Sequence, residues 1–252
     1  MIILLSPAKS LDFDSPAPAV EPSPLRFPTE TDRLVTSAAR LSKARLKQIM
    51  PVSDALIDLN YGRYRGFHDQ PERPAAFAFN GDVYSGLAAR TLEEPALEYA
   101  QTHLRILSGL YGLLRPFDNM RPYRLEMGTR WAPRHTSLVA FWGDRIAEAI
   151  AEDLGSTGGD TVINLASQEY FAAADKGLKK RGLRVITADF RQQGPNGPRF
   201  ISFEAKRARG MAARFLCEHR HTDPAALKGF DSDGYRYDAD ASDDTTLRFI
   251  RA

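Results

Sequence analysis

The sequence holds a single cysteine, Cys217, in 252 residues. No internal disulfide can form, which fits a reducing compartment. Long apolar runs are missing too. The opening MIILLSPAK has no basic n-region and only five apolar residues in a row, too few for a signal peptide or a membrane span. It reads as the first strand of a cytoplasmic protein with no membrane partner. Net charge is nearly absent: 34 Lys and Arg against 32 Asp and Glu leave +2, so the whole-molecule balance requires no polyanionic partner. The five histidines, His68, His103, His135, His219 and His221, show no metal-ligand spacing, and no cysteine set joins them. Gly155 to Gly159 (GSTGG) lacks the Lys-Ser/Thr of a phosphate-binding loop, and no G-x-S-x-G elbow occurs. No metal and no cofactor is implied. Internal repeats and clear linkers are also lacking, so residues 1–252 read as one domain.

What is present is an ordinary globular composition, 43% hydrophobic and 26% charged, with uneven charge. Between Gln101 and Arg145 seven Arg face three acids, Asp118, Glu126 and Asp144. Between Lys176 and Arg191 six bases face Asp189, whereas Asp231 to Asp244 carries six Asp and one Arg. A basic body with an acidic tail predicts a polarised surface field.

Ile2 to Leu5 and Thr161 to Leu165 are short apolar runs expected to be buried strands. The five prolines between Ser15 and Pro28 predict extended surface chain. Helical periodicity starts near Thr31 and returns at Asp54 to Asn60 behind Ser53, from Pro95 through Leu107 with Arg105 off the apolar face, and at Phe141 to Leu154. Ala75 to Phe79 reads as a strand. Leu183 to Phe190 and Arg199 to Phe203 read as a hairpin. The helix after it sets Ala208, Met211, Ala212, Phe215 and Leu216 on one face. Tyr235 to Tyr237 and Leu247 to Ile250 read as closing strands. Without regular βαβ alternation, the expected fold is mixed α/β, α+β-like: a mixed sheet surrounded by helices in one compact domain, favoured over a doubly wound sheet.

Leu104 to Gly128 (LRILSGLYGLLRPFDNMRPYRLEMG) is the most distinctive segment. Gly109 and Gly112 predict a turn with exposed amides, and Arg115, Arg121 and Arg124 supply bidentate phosphate donors. Lys206, Arg207 and Arg209 add cations at a helix start, where they oppose the macrodipole unless an anion binds. A second set follows two strands: Ser6, Lys9 and Asp12, then Asn164, Ser167, Glu169 and Tyr170. Polar residues at strand carboxyl ends often line a ligand crevice. Glu169 could act as general base, and Lys9 or Lys206 as nucleophile or electrostatic stabiliser. Helix capping by Ser167 and solvated turns explain the same residues without chemistry.

Several runs resemble the YaaA family of bacterial peroxide stress proteins: SPAKSLDF at Ser6 to Phe13, FNGDVYSGL at Phe79 to Leu87, HLRILSGLYGLLRPFDNMRPYRLEMG at His103 to Gly128, FWGD at Phe141 to Asp144, VINLASQEYF at Val162 to Phe171, ISFEAKRARGMAARF at Ile201 to Phe215 and GYRYD at Gly234 to Asp238. The resemblance implies a cytoplasmic protein that limits iron-dependent oxidative DNA damage under hydrogen peroxide. It also implies binding to double-stranded DNA through a helix-hairpin-helix-like element, expected here at Leu107 to Gly112; the chain is expected to be a monomer. The alternative is an enzyme acting on a nucleotide, nucleobase or damaged DNA through a pocket of Lys9, Asn164, Glu169 and Lys206. In that case the partner is a nucleotide or phosphorylated small molecule. A third reading gives the acidic run Asp231 to Asp244 a direct role in iron binding, although acidic runs bind metal weakly and without set geometry.

Overall fold

The computed structural model describes residues 1–252. β1 (Ile2–Leu5) and β2 (Ser10–Leu11) open the chain. A long excursion follows, with α1 (Pro28–Ala39), α2 (Lys43–Ile49), α3 (Asp54–Arg65), β3 (Arg73–Pro74), the one-turn α4 (Ala75–Ala78), β4 (Phe79–Asn80), α5 (Asp82–Leu87) and α6 (Glu94–His103). Next come β5 (Leu104–Ser108), β6 (Gly112–Leu114), β7 (Asn119–Met120), α7 (Leu138–Trp142), α8 (Arg145–Ser156) and β8 (Thr161–Asn164). The chain closes with α9 (Gln168–Lys180), β9 (Arg184–Gln192), α10 (Ser202–Glu218), β10 (Tyr235–Asp238) and β11 (Thr246–Arg251).

Seven strands form one mixed sheet in the order β10-β11-β9-β8-β1-β5-β6. The inner strands β11, β9, β8, β1 and β5 all run parallel, and β10 and β6 close the two edges antiparallel. The mixed sheet with surrounding helices matches expectation, but its centre is more regular than the sequence pattern suggests. β1, β5 and β8 are buried at every position, as strands covered on both faces must be. α5, α6 and α10 pack on one face, and α8 and α9 on the other. β1 crosses to β5 in one direction, while β8 crosses through α9 to β9 in the other. Right-handed crossovers in opposite directions lie on opposite faces. The carboxyl ends of β1 and β8 therefore flank a topological switch point, the usual crevice of an open parallel sheet.

Local departures from expectation have identifiable causes. The helix starting at Pro95 ends at His103, and Leu104 to Ser108 becomes a strand because its run of apolar residues is buried between layers. Arg105 thus sits in β5 at 5% exposure, its Nε donating to Asp153 Oδ2 at 2.7 Å. Arg26 clamps the same carboxylate, NH2 to Oδ1 at 2.8 Å and NH1 to Oδ2 at 3.1 Å. Ala75 to Ala78 is a single helical turn, not a strand. Gly143, at φ +54°, breaks the expected Phe141–Leu154 helix into α7 and α8. Arg199 to Phe203 forms only a one-residue bridge to Gln192 before α10 begins. The acidic run is folded: Asp233 pairs with Arg207 and Arg251, and Asp243 caps the turn into β11 by accepting from the Thr245 and Thr246 amides. No group of three His, Cys, Asp or Glu side chains there or elsewhere is placed to hold a metal ion.

α5 and α10 cross at glycines on both sides. A Cβ on Gly86 would stand 2.1 Å from the Arg207 carbonyl oxygen, and one on Gly210 would stand 1.8 Å from that of Val83. Gly210 inside the basic run is therefore a packing residue. A Cβ on Gly81, at the start of α5, would stand 3.1 Å from the Ala8 Cβ, so this end of α5 lies close to the loop that carries Lys9.

Candidate functional site

Polar side chains knit the switch point together. Ser6 Oγ accepts from the Ser167 amide at 2.8 Å and donates to Ser167 Oγ at 3.3 Å. Tyr84 donates its hydroxyl to the Ser6 carbonyl at 3.1 Å. Asn164 accepts from the Ala166 amide at 3.0 Å and donates to Thr187 Oγ1 at 3.3 Å. These bonds use up Ser6, Asn164 and Ser167 in holding two strand ends together. Asp12 is committed in the same way: its carboxylate pairs with Arg73 and Arg90, and hydrogen bonds from the Ser15 amide and hydroxyl and the Asp14 amide, with the Arg90 charge, hold it well below the usual range. Burial pushes the Tyr170 hydroxyl far above its ordinary value, helped by the neighbouring Tyr123 and the charge of Glu169. It stays protonated and neutral.

The expected hairpin at Leu107 to Gly112 is not a helix-hairpin-helix. It is the buried turn between β5 and β6. Gly109 backs onto the Leu125 carbonyl, and Gly112, at φ +70°, makes room for the Trp142 ring. The Tyr111 amide donates to Ser108 Oγ at 3.0 Å, and Trp142 Nε1 to the Gly109 carbonyl at 3.1 Å. No amide of this turn is open to a phosphate, since residues 106–114 are all buried.

Most of the expected phosphate donors are also engaged. Arg115 pairs with the fully buried Asp118 and donates to the Pro24 carbonyl. Burial pushes the Asp118 carboxyl up, against the lowering effects of the Ser23 hydroxyl, the Arg115 amide and the Arg115 charge. Arg121 pairs with Glu72 and lies over Phe67. Arg207 pairs with Asp233, and Lys206 stands 3.9 Å from Asp82. Arg209 makes no ion pair, and its Nε is buried without a partner.

The structure brings a different set together. Glu126 lies between Lys9, at 3.1 Å, and Arg124, at 2.9 Å. Burial raises its carboxyl, but the hydrogen bond and charge of Lys9 and the charge of Arg124 outweigh this and hold it below the usual range. Glu169 accepts from the Gly128 amide at 3.0 Å. Lys9, Arg124, Glu126 and Thr129 line a cleft of about 180 Å³ under the α2–α3 turn. It shares Glu126 and Thr129 with an open groove of about 500 Å³ that adds Arg45, Arg130 and Glu169. Of the residues expected to share a pocket, with Glu169 as general base and Lys9 or Lys206 as nucleophile or electrostatic stabiliser, Lys9 lines the cleft and Glu169 lines the groove, and Glu126 lines both. Lys206 lines neither space.

A third groove, about 810 Å³, runs between α1 and Pro133–Arg134, lined by Arg33, Arg40 and Arg134 with Thr29, Thr36 and Ser37. Asp32 is its only acid. Arg33, Arg40, Arg45, Arg130 and Arg134 are all exposed, and none lies within 4.0 Å of a carboxylate. Arg134 is held at φ +63°, a strained backbone for a non-glycine residue. Sequence reasoning missed all five. The available signal was the i, i+3, i+4, i+7 series Arg33, Thr36, Ser37, Arg40, which carries donors and no acid.

Comparison with known proteins covers the same length. Residues 1–241 match the family described as peroxide stress protein YaaA. A UPF0246 protein of Rhizorhabdus wittichii is 57% identical over 252 residues, covering 100% of this chain and 99% of the relative. UPF0246 proteins of Burkholderia cenocepacia and Caulobacter vibrioides are 46% and 45% identical, again over 100% of this chain and 98% and 99% of theirs.

Proposed function

Because the chain belongs to the peroxide stress protein YaaA family, we propose that it acts in peroxide stress by binding duplex DNA in the cytoplasm, through phosphates and with little sequence preference, so limiting iron-dependent damage to that DNA. One observation carries this reading: five exposed arginines without carboxylate partners, Arg33, Arg40, Arg45, Arg130 and Arg134, gathered along grooves on either side of residues 129–134. In a chain of net charge +2, with most other arginines paired internally, five unpaired arginines lining two grooves fit a polyanion. Guanidinium groups interleaved with Thr and Ser hydroxyls suit phosphate oxygens, which fix register without reading bases. α2 and α3, joined by Met50 to Ser53, pack against each other, and Arg45 on α2 lines the second groove.

Direct peroxide reduction by a thiol does not suit this chain. Cys217 is fully buried, and burial pushes its thiol up to about 12. Thiolate character and access are what peroxide-reactive cysteines need. The test is fluorescence anisotropy on a labelled duplex. Replacing Arg33, Arg40 and Arg134 together by alanine is expected to weaken binding about tenfold or more at moderate salt. Unchanged affinity in that variant overturns the reading.

A further inference from the structure

We propose that the 180 Å³ cleft between the α2–α3 turn and residues 124–129 receives one unpaired nucleotide of DNA, base inward. This proposal rests on the duplex-binding reading above. The cleft has two chemically distinct sides. Ile49, Met50, Pro51 and Val52 form an apolar side suited to the flat face of a heterocycle. Lys9, Arg124, Glu126 and Thr129 form a polar side suited to its edge. The space fits one base and excludes a base pair.

Two polar atoms on that side are uncommitted. All the bonds that Glu126 makes to Lys9 and Arg124 fall on Oε1, leaving Oε2 with no protein partner. Thr129 is 7% exposed; its amide and carbonyl are bonded to Glu126 and Leu138, while its hydroxyl bonds nothing. A carboxylate oxygen accepts from the amino or ring N–H of a base, and a hydroxyl can both donate and accept. The flanking cations hold Glu126 ionised, so the acceptor persists near neutral pH.

The mouth of the cleft supplies the rest of a nucleotide site. It opens into the groove lined by Arg45 and Arg130, where the phosphates on either side of an extruded nucleotide would lie. Extrusion costs a few kcal/mol from an intact duplex and least where the base is already unpaired. The site therefore favours DNA with an unpaired base over fully paired DNA.

The experiment compares two labelled duplexes of one sequence, fully paired or with one central base opposite an abasic site. Wild-type protein is expected to prefer the unpaired duplex about tenfold, equivalent to about 1.4 kcal/mol. Glu126→Gln combined with Thr129→Val keeps the shape of both side chains and is expected to bring the ratio close to one. Arg33→Ala with Arg40→Ala and Arg134→Ala is expected to weaken both duplexes and keep the ratio. A wild-type ratio of one, or a ratio that survives the Glu126/Thr129 variant with its melting temperature intact, overturns the cleft assignment alone. Failure of wild-type protein to bind either duplex overturns the duplex reading and the cleft assignment with it. Thr129→Ser, which retains the hydroxyl, should restore the preference if the Thr129→Val change disturbs packing.

Discussion

Replacing Gly210 by alanine puts a number on the α5–α10 crossing. The new Cβ would stand 1.8 Å from the Val83 carbonyl oxygen and 2.7 Å from the Leu87 amide nitrogen, both main-chain atoms that cannot rotate away. Restoring ordinary contact requires the helices to separate by roughly 1.5 Å, which strips packing from a close-packed interior. Overpacking of this kind costs about 1–3 kcal/mol and more when backbone must move. Better helix propensity returns about 1 kcal/mol. The net loss is about 2 kcal/mol, or about 4–8 °C in melting temperature for a chain of this size. Gly62→Ala in α3 is the internal control, because its Cβ meets nothing within 4 Å. That change should raise the melting temperature by about 2–4 °C. Differential scanning calorimetry of the two variants decides the matter. A Gly210→Ala protein that melts at or above wild type would show that the α5–α10 crossing does not depend on close backbone approach at Gly210.

Asp153→Ala leaves the Arg105 and Arg26 guanidinium groups facing each other without their shared carboxylate; the expected loss is about 3–5 kcal/mol in urea unfolding. Arg115→Ala strands the buried Asp118 and should lower stability by about 1–3 kcal/mol while leaving duplex affinity unchanged, as anisotropy would show. Burial lowers His103, and the N-terminal and Arg105 charges lower it further against the raising bond from the Met1 carbonyl; burial and His219 lower His221. A depressed histidine contributes stability above its unfolded value of about 6.5, and that contribution is lost as pH falls through the folded value. Melting temperature should therefore drop between about pH 7 and pH 5, and His103→Gln with His221→Gln should flatten the drop.

The sequence made the framework legible where burial on both faces left a simple pattern. Ile2–Leu5 and Thr161–Asn164 stand out as apolar runs, and the α10 stripe of Ala208, Ala212 and Leu216 shows clear helical spacing. Leu104 to Ser108 misled because a buried strand that follows a helix directly continues its apolar run without a break, and only tertiary pairing with β1 fixes its state. Lys9 and Glu169 were visible in the sequence as polar residues after strands, but Glu126, which lines both the cleft beside Lys9 and the groove beside Glu169, carried no signal of its own. The arginines of the Leu104–Gly128 segment drew attention by density, and density could not reveal that Glu72, Asp118 and Glu126 neutralise them. Charge that is free for a ligand is charge left over after internal pairing, and pairing between residues far apart in sequence is a property of the fold.

The salt dependence of duplex binding separates groove-bound phosphates from the internally paired arginines. Each phosphate contact contributes about 0.9 to the slope of log affinity against log salt. Removing Arg33, Arg40 and Arg134 should therefore reduce a steep negative slope by about 2.7 if each contacts one phosphate, while removing Arg115 and Arg121 should leave it unchanged. A slope that is the same in wild type and in the Arg33/Arg40/Arg134 variant, or one that collapses in the Arg115/Arg121 variant instead, would contradict the assignment of the grooves as the DNA-binding surface.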